Sequence, residues 1–113
     1  MTTPPVLPEE FRYLQPFVSK WAVATEVGRN RVRRHSSMPQ IREFYNVIVP
    51  RLDAVIIYLN QFPLDDMPAP ARLLLRLALS AMEIAPAVEL YRQPDVVHAF
   101  DAERVEILVD PVL

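Results

Sequence analysis

Cysteine is absent from the 113 residues, and with it go disulfide, thiolate-metal and cysteine-nucleophile chemistry. Glycine occurs once, at Gly28. Phosphate-cradling loops, dinucleotide fingerprints and nucleophile elbows need glycine where backbone turns tightly or meets a ligand, so Rossmann, P-loop and α/β-hydrolase readings are excluded. Lysine also occurs once, at Lys20, and histidine twice. The two Glu-x-x-His elements of a carboxylate-bridged di-metal bundle are absent, since Val32 and Asp95 stand three residues before His35 and His98, and no metal or cofactor is expected. The start, MTTPPVLPEE, has no basic segment followed by an apolar run, which argues against a secretory signal and for the cytoplasm.

What the chain does have is apolar content, at 51% against 23% charged residues. That is enough for one core in one domain, with apolar surface left over for a partner. Net charge is −2, but residues 1–51 hold eight basic and four acidic residues, and residues 52–113 hold four and ten. Pairing between the halves, or between subunits, fits this division more naturally than a nucleic-acid surface does.

Twelve prolines punctuate the chain. Residues 1–7 read as an extended arm and Pro8 to about Gln15 as a short helix with acids at its positive end. Pro16 opens a second helix to about His35, with Phe17, Trp21, Ala24, Gly28 and Val32 in one apolar stripe. Glycine inside a helix costs about 1 kcal/mol against alanine, so another backbone is expected close to Gly28. Ser37 and Gln40 match a capping box, starting a third helix from Pro39 to Phe62. Its β-branched text could suit a strand, but Phe44, Ile48, Leu52, Val55 and Leu59 share one helical face across Pro50, which predicts a kinked helix. Asp65 and Asp66 are placed to cap the next helix.

That fourth helix, Pro68 to about Arg92 with a second kink at Pro86, is the longest apolar run. Arg72, Arg76, Ser80, Glu83 and Ala87 fall on one narrow strip, and most of the remaining circumference is apolar. Arg76, Glu83 and Glu89 exclude a membrane span. Beyond it, residues 93–113 read as a tail on the bundle or a partner, with a short helix near Asp101 weighed against an edge strand at Val105 to Val109. The expectation is an all-α antiparallel bundle of three long helices with short helical segments at both ends. So narrow a polar strip implies that the terminal segments or a second copy in a two-fold dimer cover the fourth helix.

Candidate sites come from the remaining polar residues. Glu89 lies on the wheel with Leu75, Met82 and Pro86, where it needs either an ion pair, for which Arg51 is the candidate, or a raised pKa. Trp21, Gly28, Tyr45 and Tyr58 could join Arg51 and Glu89 around a pocket for a small apolar molecule, although the same aromatics also suit a core. Arg29, Arg31, Arg33 and Arg34 form a basic segment that complements a helix C-terminus. No aromatic platform interleaves them, which argues against nucleic acid. Arg76, Ser80 and Glu83 stand at spacings suited to mutual hydrogen bonding, and Asp95 and His98 stand three apart. No catalytic constellation emerges. The sequence favours a non-enzymatic interaction or accessory protein, acting through a homodimer or partner surface. A binder or cofactor-free enzyme for an apolar compound ranks second, and a nucleic-acid binder third.

Overall fold

The computed structural model describes residues 6–91, which are all-α with no strand among them. The tail of residues 93–113, and with it Asp95, His98 and the expected terminal helix or strand, lies outside the described residues. The arm is tied down at its end: Leu7 is fully buried, its N–H donates to Gln15 Oε1 at 2.9 Å, and its carbonyl accepts from Arg12 Nε at 2.7 Å. The first helix is a 3₁₀ stretch, Glu9–Phe17, containing Pro16. Pro16, expected to open the second helix, lies inside this stretch, where its missing N–H leaves one helical bond unmade.

The second helix is divided where one helix was expected. After α1, Val18–Trp21, the backbone leaves helical geometry at Ala22 (φ −85°, ψ 70°). It re-enters at Thr25, whose side chain accepts from the Gly28 N–H at 3.0 Å and caps α2, Glu26–Arg34. A threonine cap contributes about 1 kcal/mol, enough to favour a restart over continuation. Gly28 is crowded by local side chains and not by a crossing backbone: a Cβ there would stand 2.6 Å from Val23 Cγ1 and 2.9 Å from Thr25 Oγ1.

The third unit agrees with the pattern. Ser37 and Gln40 form the reciprocal capping box at the start of α3, Met38–Ile48. Pro50 falls in a 3₁₀ turn, Val49–Arg51, and α4 continues as Leu52–Leu59. Ile41, Phe44, Ile48, Val55 and Leu59 are buried on both sides of the kink, so the apolar face keeps its phase. Asp65 and Asp66 sit in a 3₁₀ turn, Leu64–Asp66, and do not cap the next helix, whose preceding residue is Pro68 with no side-chain cap.

That helix, α5, spans Ala69–Pro86 and continues into a π-helical turn, Ala87–Tyr91, at the expected proline. It packs against α1, α2, α3 and α4 and supplies the middle of the core through Leu74, Leu77, Ala81 and Ile84. Its rotation about its own axis overturns the hydropathic expectation. Ser80 and Ala87, placed on the solvent strip by the sequence, are buried, and Glu83 is drawn inward. The outer side carries the half-buried Leu75 and Leu79 and the exposed Met82 and Pro86 instead, with Met82 51% exposed. Among the described residues no helix is long and apolar enough to cross a membrane.

Candidate functional site

Two polar contacts set the rotation of α5. Ser80 Oγ donates to the Trp21 carbonyl at 2.5 Å, as a second donor beside the Val23 N–H at 2.9 Å. Glu83 Oε2 accepts from Arg33 Nε at 2.8 Å and lies 3.5 Å from Asn30 Nδ2, joining α2 to α5. Ser80 and Glu83 thus bond to other helices and not within the expected Arg76–Ser80–Glu83 ladder. The bonds are formed where water is largely excluded, which makes them stronger than at an exposed helix surface.

The six pocket candidates are dispersed. Trp21 stacks flat on Phe44, with ring centroids 4.9 Å apart and planes 6° from parallel, and Phe17 closes on the same ring at 5.4 Å. Tyr58 sits between Phe11 and Phe62, edge-on to both at 5.4 and 5.5 Å. Arg51 is exposed, its guanidinium over Tyr13 at 5.8 Å. Gly28 serves the α2 cap. Of the six, Tyr45 and Glu89 are brought into contact: the phenol donates to Glu89 Oε2 at 2.6 Å. Glu89 is exposed, and its partner is this phenol and not Arg51.

The Tyr45 phenol is held above its ordinary ionisation range, first by its hydrogen bond to Glu89, then by burial and the carboxylate charge. A phenol with a raised folded-state pKa contributes stability below the unfolded value of about 10 and loses it as pH rises through the folded one. Tyr45→Phe should therefore be less stable than the native protein at neutral pH, the gap closing in alkali. Phenolate absorbance should show Glu89→Gln returning Tyr45 towards an ordinary tyrosine.

The basic segment presents no single cationic face. Arg29 Nη1 donates to the Val23 carbonyl at 3.2 Å and Arg33 points inward to Glu83, while Arg31 and Arg34 are exposed. Among the described residues no three His, Cys, Asp or Glu side chains converge as metal ligands. A shallow hollow of about 320 Å³ lies at the start of α5, lined by Met67, Ala69, Arg72, Leu73 and Arg76, and includes none of the six candidates.

The feature that stands out is the outer side of α5. Arg72, Leu75, Leu79, Met82, Pro86 and Glu89 succeed one another in steps of three, four, three, four and three, and each is half-buried or exposed. Residues at that spacing share one side of an α-helix, which holds from Arg72 to Pro86, whereas Glu89 lies in the π-helical turn and is bonded to Tyr45 of α3. The signal is present in the sequence, where the richer apolar text of the inner side masks it. No family model, curated protein or solved structure matches this chain.

Proposed function

We propose that the protein is a non-enzymatic interaction or accessory protein whose working surface is the outer side of α5, used against a second copy or another protein. The observation that supports this is the outer side of the helix that the other four pack around, where Met82 and Pro86 are exposed beside the half-buried Leu79. Leu90, 72% exposed, extends the apolar surface into the π-helical turn. Contiguous apolar surface of this kind gains free energy when a partner removes it from water. A cytoplasmic place of action goes with this reading, since the cysteine-free chain draws no stability from an oxidising compartment. The alternative, a small apolar ligand among Trp21, Gly28, Tyr45, Arg51, Tyr58 and Glu89, draws less support because those residues are divided among separate contacts.

A photo-crosslinking side chain in place of Met82 tests the surface, with one at the exposed Glu43 of α3 as control. Position 82 should give an adduct of defined mass, in cells or with purified protein, and position 43 should not. Equal behaviour of the two positions would overturn the reading.

A further inference from the structure

We propose that the Tyr45–Glu89 hydrogen bond selects the π winding of Ala87–Tyr91, and so decides whether Leu90 or Glu89 stands beside Met82 where the outer side of α5 ends. The winding is a property of the fold alone. Its bearing on recognition rests on the reading of that side as an interaction surface.

Pro86 leaves the choice of winding open. Its missing N–H interrupts the ladder of four-residue bonds in α5, and the backbone beyond it can wind as an α-helix or, with bonds reaching five residues back, as the wider π turn observed. The π form is the rarer of the two, so a specific contact must favour it. Ala87 is buried and Val88 packs on the core, but apolar contacts are not directional and survive a modest rotation. The contact from α3 is directional: the Tyr45 hydroxyl donates to Glu89 Oε2 at 2.6 Å. A bond to an ionised acceptor is about twice as strong as one between neutral groups.

The geometry shows what this bond changes. An α-helix turns about 100° per residue, and a π turn, which holds about one residue more, turns about 20° less. Side chains after Pro86 therefore lag behind their α-helical positions, and the lag accumulates. In α winding Glu89, seven residues after Met82, would lie on the outer side with Met82 and Pro86. Three π steps carry it back by about 60°, off that side and towards α3, against which the turn packs. Leu90, eight residues after Met82, would stand about 80° past it in α winding, and four π steps cancel that offset. Leu90 is 72% exposed and Met82 51%. The π turn thus lengthens the apolar surface by a leucine and withdraws a carboxylate from it. With the bond broken, α winding would return the charge to the place beside Met82. An unpaired charge is costly to cover with apolar surface, so a partner fitted to one winding would be refused by the other.

Hydrogen-bond scalar couplings in the isotope-labelled full chain read the winding directly, since they show whether an N–H of this turn pairs with the carbonyl five or four residues before it. The native protein should show the five-residue coupling. Tyr45→Phe and Glu89→Ala should each replace it with four-residue couplings, whereas Glu89→Gln, which keeps an acceptor oxygen, should retain it. Melting curves and unchanged couplings in α3 check that each variant folds. A five-residue coupling that persists in both Tyr45→Phe and Glu89→Ala would overturn the inference and leave Pro86 as the cause of the π turn. Four-residue couplings in the native protein would overturn it as well. For the surface, the position-82 adduct should fall several-fold in Tyr45→Phe, and an adduct unchanged by the altered winding would overturn the link to recognition. Failure of position 82 to give any adduct in the native background would instead reject the interaction surface, while the couplings would still decide what sets the winding.

Discussion

Phe44→Ala should lower the melting temperature by about 12 to 25 °C, corresponding to about 3 to 5 kcal/mol for loss of a buried phenylalanine in a domain of this size. Phe44 is fully buried, and its ring is held between Trp21 and Phe17. Truncation removes the shared partner of both aromatics and leaves a cavity where α1, α3 and the first 3₁₀ stretch meet. The flat Trp21 stack cannot collapse into that space easily, because the Trp21 carbonyl is fixed by Ser80. A total stability of about 5 to 15 kcal/mol leaves little margin for such a loss. Trp21 is the sole tryptophan, so its emission reports the site directly and should move to longer wavelength in the variant. Phe44→Leu, which keeps most of the volume, should cost about 1.5 kcal/mol or less.

How much of this was legible in the sequence depended on the range of the interaction involved. The Ser37–Gln40 box spans one turn, and the phase across Pro50 spans a few, so periodicity and local chemistry reveal both. The division at Ala22 to Thr25 is equally local, but the stripe from Phe17 to Val32 hides it by continuing through residues that are not helical. The setting of α5 is a different matter. A helical wheel assigns Ser80 and Glu83 to water by their polarity, whereas the carbonyl of Trp21 and the guanidinium of Arg33 draw them inward from distant parts of the chain. The wheel ranks faces by composition, and a polar face supplied with buried partners can displace an apolar one from the interior. The candidate pocket failed to assemble for a related reason. Its residues shared helical faces within each segment, but the breaks after Trp21 and after Pro86 reset the angles between segments, and Arg51 and Tyr58 turn to Tyr13 and Phe11 of the first 3₁₀ stretch.

Arg33→Ala should destabilise the protein by about 2 to 3 kcal/mol, less than the roughly 3 to 5 kcal/mol of a fully buried pair. The Glu83 side chain retains 22% of its exposure and Arg33 11%, so water partly compensates the carboxylate left behind. The larger component is the charge that remains without its partner, and this makes a specific demand of the double variant. Replacing both residues by apolar ones of similar length, Arg33→Met with Glu83→Leu, should bring stability back to within about 1 kcal/mol of the native protein. Denaturant titration of the two single variants and the double gives the coupling between the sites. If each change instead contributed independently, the pair would not be what seats α2 on α5. Because Glu83 lies on the inner side of α5, the double variant should also keep the position-82 adduct while Leu79→Glu weakens it. The two sides of one helix would then be separable by experiment, with buried polar contacts on the inner side fixing its rotation and the resulting outer side available for association.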